Sequence, residues 1–395
     1  MDMDFPFWGQ FVEFCQALIQ TPSPSGEEDK VASIVQEKMK QLSYDDVWTD
    51  RVGNVIGLIR GDRDRPSVCF TAHMDHVDPG DETEWEYPPY SGAIADGYIH
   101  GRGASDLKGP LATQVYIPEL LKLYSVSHGD LYVIEVVQEE VGGLGSRYLD
   151  ESVKNSLDYV INGEPTSNML KIGHRGRMEL VVRLKGKSVH ASMPGQDMNP
   201  IYDMAAFISK FRDLEMAIEG NEKSTATPTI CRTDQKCSNV TPSKCELTID
   251  WRNVPGESEG QVIDKIRSIL PENAEFHVAE YRVKTYTNVD FNMRRVRLPY
   301  SIERNSPFVI ETEKAVKSTL NREVEVSRWP FSTDCGCFMD DGIPTIGFSP
   351  AEEKYVHTNR ERISLKLIKE AMKCYPAIVS RVSKLEKRKG SSLGE

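Results

Sequence analysis

Basic charge is in short supply: 48 Lys and Arg stand against 60 Asp and Glu in 395 residues, a formal net charge of −12. That balance argues against nucleic acid as a main partner, because phosphate binding needs a basic face. It argues equally against an anionic membrane surface, although a local basic pocket stays open. No apolar run approaches the ~18–20 residues that a membrane span requires. The start carries Asp2 and Asp4 and no basic region. Residues 5–19 are interrupted by Gln10, Glu13 and Gln16, which suits an amphipathic helix better than a signal peptide. CxxC pairs are missing among the eight cysteines, and Cys335 and Cys337 lie only two apart, so a structural zinc finger is not expected. A reduced, cytoplasmic setting fits this usage. There is no internal repeat or low-complexity tract.

What is present is ordinary globular material, 39% hydrophobic and 27% charged, long enough for two domains. Helical periodicity covers residues 30–42 and 109–123. Short strands are expected at 54–59, 68–72, 131–138 and 159–162, with 68–72 apolar enough to sit centrally in a parallel sheet. Strands alternating with helices imply α/β architecture, a mixed, largely parallel sheet sandwiched by helices. The texture changes near Gly176. Alternating strands at 178–184, 244–251 and 274–283, with helices at 200–211 and 261–270, suggest a small α+β unit. The first texture then resumes with helix 308–320, strand 344–348 and helix 365–382. The expected division is therefore 1–175 and 289–395 as one domain, interrupted by an inserted unit at 176–288. The tail from Lys384 is polar and expected to fray.

Acids and histidines gather just after the expected strands, where the carboxyl ends of a parallel sheet open on a crevice. The first group is His73-Met74-Asp75-His76. His73 and Asp75, two apart, point the same way if extended geometry persists, but an isolated HxD equally fits a loop histidine and a capping aspartate. Asp106, in Gly101-Arg102-Gly103-Ala104-Ser105-Asp106-Leu107-Lys108-Gly109, shortly precedes a helix and could be a cap or a carboxylate between two cations. Glu139 and Glu140 follow the most apolar strand. Adjacent buried carboxylates repel and lose hydration, a cost that cations offset, and such a pair can divide labour between metal ligation and proton transfer. Glu164 follows another strand, and His357 lies in Tyr355-Val356-His357-Thr358. Five groups in succession bring imidazole and carboxylate to one rim, a donor set suited to zinc, manganese or cobalt.

The segments HMDH, GRGASDLKG, QEEVGG and GEPT, in this order along the chain, resemble the M20 metallopeptidase family of deacetylases, desuccinylases, aminoacylases and carboxypeptidases. Gly173–Leu180 (GHRGRMEL) and Arg328–Asp334 (RWPFSTD) are most similar to a bacterial branch linked to selenium metabolism. The resemblance implies a zinc-exopeptidase type fold with an inserted lid and dimerisation domain. It also implies two divalent metal ions, zinc first, with His73 and Glu164 on one, Glu140 and His357 on the other, and Asp106 bridging. Asp75 would orient His73, and Glu139 would act as general base. His190, in Ser188-Val189-His190-Ala191-Ser192-Met193-Pro194, would reach the active site of a partner subunit in a homodimer and stabilise an oxyanion. Asn239 and Arg252 would bind the substrate's polar end, Arg252 gripping a carboxylate. Arg175 and Arg177 could add to that pocket. GEPT supplies Glu164 where several relatives use Asp. The activity implied is hydrolysis of an N-acyl amino acid or short peptide with a free carboxylate. A di- or tripeptide aminopeptidase is the alternative, and a catalytically silent metal-binding scaffold is the alternative outside enzymes.

Overall fold

Apolar segments from both ends of the chain build one nine-stranded mixed sheet in the computed structural model, which describes residues 5–193 and 199–388. Asp2, Asp4, Pro194 of the SVHASMP segment and the end of the polar tail lie outside the described residues. The sheet runs Asp46–Thr49, Val55–Ile59, Leu131–Val136, Val68–His73, Tyr159–Asn162, Thr345–Gly347, Leu170–His174 and Tyr300–Ser301. Val326–Trp329 also pairs with Leu170–His174. The four central strands, Leu131–Val136 to Thr345–Gly347, are mutually parallel, and antiparallel strands flank them. Every residue of Val68–His73 and Leu131–Val136 is buried, as a strand covered on both faces demands.

One face carries the amphipathic helices Trp8–Gln20, Asp29–Gln41, Pro307–Leu320 and Leu365–Val382, with the main core between helices and sheet. A smaller core on the other face joins Ile134 and Val136 to Leu149, Val153 and Phe338. The helix expected at 109–123 is broken into Gly109–Val115 and Ile117–Tyr124. Pro118 has no N–H to give the preceding turn, and its ring crowds the carbonyl four residues back.

Between residues 177 and 297 the chain makes a separate five-stranded sheet in the order Thr225–Thr233, Lys244–Arg252, Arg177–Lys185, Ala274–Val278. Val296–Arg297 pairs with the Arg177–Met178 end of the same sheet. Helices Pro200–Arg212 and Glu259–Arg267 seat Met204, Phe207, Val262 and Ile266 on one of its faces. The strand expected at 274–283 is divided. Ala274–Val278 stays on this sheet, whereas Glu280–Lys284 pairs with Asp290–Arg294 as a hairpin of its own. That hairpin turns back to the main unit, where Tyr281, Val283 and Phe291 pack on the main core and Tyr286 donates its hydroxyl to the Gly53 carbonyl at 2.8 Å. Among the described residues no helix is long and apolar enough to cross a membrane.

Candidate metal centre

The parallel strands end together, and the side chains singled out by sequence meet there. His73 is the last residue of its strand; Glu139 and Glu140 follow Leu131–Val136, and Glu164 follows Tyr159–Asn162. Asp106 reaches in from the turn before helix Gly109–Val115 and His357 from a loop beyond Glu353–Tyr355. One Asp106 oxygen stands 2.8 Å from His73 Nε2 and the other 3.1 Å from His357 Nε2. Glu164 Oε1 is 3.9 Å from His73 Nε2, and Glu140 Oε1 is 3.1 Å from His357 Nε2. Two ligand groups sharing Asp106 result, His73–Asp106–Glu164 and Asp106–Glu140–His357, each with its donor atoms within 4.8 Å of one another, and a third group of acids, Glu139–Glu164–Asp334, adjoins the first through Glu164.

Backbone and buried polar groups hold this arrangement from behind. Asp75 is fully buried. Its carboxylate lies 3.4 Å from His73 Nδ1 and accepts the N–H groups of Glu139 and Glu140 at 3.0 and 3.1 Å and the Ser25 hydroxyl at 2.6 Å. His73 Nδ1 is 2.9 Å from the Asp75 backbone carbonyl, so this aspartate orients the histidine through its backbone and charge, and through its carboxylate the turn that presents the paired glutamates. His76 takes no place among the donors: its Nε2 accepts the Ser23 N–H at 3.0 Å, tethering the segment that carries Ser25. Glu361 accepts the N–H groups of Ser105 and Asp106 at 3.1 and 3.0 Å and is ion-paired with Arg102. Asp334, of the FSTD segment, accepts from Asn162 at 3.1 Å and from the Ser146 hydroxyl.

Packing so many carboxylates out of water is unfavourable without cations. Burial, then Asp106 and Glu139, push the Glu164 carboxyl well above its ordinary range. Burial, then Asp106, also raises Glu140. Burial raises Glu139 to about 7, with Arg297 opposing. His357 is pushed up to about 10 by hydrogen bonds to Asp106 and Glu140. For His73 burial works the other way, but hydrogen bonds to Asp106 and Asp75 outweigh it and hold the ring well above its usual value. An excess of buried negative charge around two imidazoles is the environment a pair of divalent cations relieves, and the N and O donors suit one.

A cleft of about 700 Å³ opens over this floor. Its opposite wall is basic: Arg177, Arg252, Arg294 and Arg295 line it, while Arg297 lines the cleft beside Glu139. Arg252 and Arg177 share Asp250, at 2.6 and 2.7 Å, so two guanidinium groups face the cleft with one carboxylate between them. Arg252 thus lines the cleft together with Arg177, which the sequence offered as a possible addition, and with Arg294 and Arg295, which it did not single out. His190 and Asn239 do not line the cleft. They are exposed on the inserted unit, where His190 bridges to Val240 and the Asn239 carbonyl accepts the Ala191 N–H. Arg297 and Glu361 are the functional neighbours that sequence reasoning missed. Each acts on a residue more than 150 positions away, so no local spacing marks it.

The family model described as peptidase family M20/M25/M40 matches residues 69–381. A protein of Escherichia coli K12 called uncharacterized protein YgeY is 29% identical over 366 residues, 90% of this chain and 90% of its own length. The succinyl-diaminopimelate desuccinylase of Halorhodospira halophila is 26% identical over 287 residues, 69% of this chain and 75% of its own. Among solved structures, the aminopeptidase PepT of Bacillus cereus superposes with a TM-score of 0.77 at 20% identity, covering 95% of this chain and 99% of PepT. That likeness is one of fold.

Proposed function

The chain belongs to peptidase family M20/M25/M40 and is a metal-dependent hydrolase, and from that premise we propose that it cleaves the amide bond of a small substrate bearing a free carboxylate. Two ligand groups sharing Asp106, set opposite an arginine-lined wall, carry this reading. His73, Asp106 and Glu164 would hold one divalent ion, and Asp106, Glu140 and His357 the other. When bound, such a pair polarises the scissile carbonyl and acidifies water; zinc suits the donors, with cobalt or manganese as alternatives.

The chain's own residues do the rest. Asp75 keeps the His73 ring in place. Glu139, buried beside the ligands, takes a proton from water as the water oxygen attacks the carbonyl carbon. It returns that proton to the amine nitrogen as the C–N bond breaks. Arg252, paired through Asp250 with Arg177, receives the substrate's carboxylate; Asn239, which does not line this cleft, would assist at a substrate's polar end only from across a dimer. The inserted unit serves as lid and dimerisation domain. Among the described residues strand Thr225–Thr233 is the outermost of its sheet, and Tyr202 (71% exposed), Met193 and Ile201 lie bare on this unit, a surface suited to a second copy. Across such a dimer His190 would reach the partner's cleft and stabilise the oxyanion. We place the enzyme in the cytoplasm, where its free cysteines stay reduced.

An aminopeptidase would need acidic groups for a free amine, and the wall offers arginines instead. The test is release of amine from N-acyl amino acids, dipeptides and tripeptides, each with a free or an amidated C-terminus, with zinc, manganese or cobalt added or withheld. Free-carboxylate substrates should turn over at least tenfold faster than their amides, and only with metal. Equal rates on the two series would sink the carboxylate reading.

A further inference from the structure

Arg297 stands at the junction of the two units. Strand Val296–Arg297 pairs with Arg177–Met178 of the inserted sheet, and three residues later Tyr300–Ser301 has joined the main sheet. From this junction the Arg297 side chain, 15% exposed, enters the floor of the cleft. Nη1 donates to Glu139 Oε1 at 2.6 Å, and Nη2 donates to the Glu139 carbonyl. The guanidinium therefore grips one residue at two points, its backbone and one carboxylate oxygen, a planar fork that Lys cannot reproduce. Among the described residues no group donates to the other oxygen, Oε2, which is left for a proton.

The second glycine of QEEVGG belongs to the same device. Gly143 has φ +69°, a region L side chains rarely adopt, and a Cβ there would come within 2.9 Å of Arg297 Nη1. The turn is thus shaped to admit the guanidinium. Asp334 adds a second negative charge near it. Among the described residues no hydrogen bond or ion pair joins Arg297 to His73, Asp106, Glu164, Glu140 or His357.

We propose that Arg297 is a positioning residue for the proton-transfer step, holding Glu139 by one oxygen so that the other faces the reacting water. Because Arg297 belongs to the inserted sheet's pairing, the orientation of Glu139 is set by how that unit is seated on the main one. The inference rests on Glu139 being the general base, and the experiment separates the two. Kinetics are run on the metal-loaded enzyme with the best substrate of the panel above, comparing E139Q, R297M and R297K, with metal content and Tm measured for each.

R297M should lower kcat on the order of 10²-fold, the loss typical of a misplaced catalytic group, with KM within about threefold of wild type. Metal content should be unchanged, and R297K, with one donor point retained, should recover about tenfold of the loss. Wild-type kcat in R297M, with E139Q inactive, overturns the positioning role and leaves the general base intact. An active E139Q overturns the base itself. Loss of metal or a large fall in Tm in R297M, with no recovery in R297K, assigns Arg297 a structural role and also overturns the proposal. If R297M does not fold, R297K decides: reduced kcat at unchanged KM supports the role, and wild-type kcat refutes it.

Discussion

On the floor of the cleft His73, Asp106, Glu139 and Glu164 are no more than 6% exposed, and buried partners hold His73, Asp106 and Glu139 from behind. On the wall facing them Arg177, Arg252, Arg294 and Arg295 have side chains between 33% and 45% exposed, each beside a single carboxylate. The floor is a network in which moving one member leaves others unsatisfied in low dielectric. The wall is a set of long side chains that can shift in water at little cost. The contrast teaches where chemistry and selection are lodged. On the proposed reading, reaction geometry would sit on the ends of buried strands, and substrate contact on the inserted sheet and the neighbouring hairpin, where solvent can reach.

That contrast can be broken most directly at Glu139. Glu139→Gln keeps shape and hydrogen bonding but cannot accept a proton, and kcat should fall by about 10³-fold with metal content unchanged. Full activity in steady-state assays would remove the floor's claim to the chemistry. Asp75→Ala touches no substrate, yet it should weaken metal affinity by about 10–100-fold, read by competition with a chromogenic chelator. Unchanged affinity would mean that the buried support is ornamental.

On the wall the expected effects are smaller and of another kind. Arg252→Met should raise KM about tenfold for a free-carboxylate substrate, with kcat nearly constant, as loss of one charged hydrogen-bond partner implies. A fall in kcat at constant KM would instead place Arg252 in the reaction step. Arg294→Met sharpens the comparison at its weakest point. Its guanidinium pairs with Glu259 at the surface, so KM should change less than about threefold. An effect as large as that of Arg252→Met would make the whole wall, rather than the Arg177–Asp250–Arg252 group, the carboxylate site.

Much of the floor was legible in the sequence because His73, Glu139, Glu140 and Glu164 end or follow apolar strands, and a parallel sheet brings such strand ends to one side whatever the details of packing; Asp106 and His357 come from loops. The wall was legible only in Arg252 and, less definitely, Arg177. Arg294 and Arg295 carried no mark in the sequence; the hairpin Glu280–Lys284 with Asp290–Arg294, lying along the cleft, brings them there. The break at Pro118 was written in the sequence and overridden in the reading by the apolar period on either side. The division of residues 274–283 was not, since both halves alternate alike and only their partners differ.

Local order along the chain was enough to mark the central strands, the amphipathic helices and His73, Asp106, Glu139, Glu140, Glu164 and His357 as candidate donors, because these depend on side-chain periodicity and on placement near strand ends, and the resemblance of their segments to a family then implied their roles. Tertiary structure alone decided that Asp106 stands between two histidines, that Asp75 supports the glutamate turn as well as His73, and that Arg297 reaches Glu139 from 158 residues away. Those are pairings across the fold, set by the closure of long loops and by the need of buried charges for partners. Neither influence leaves a mark in residue spacing.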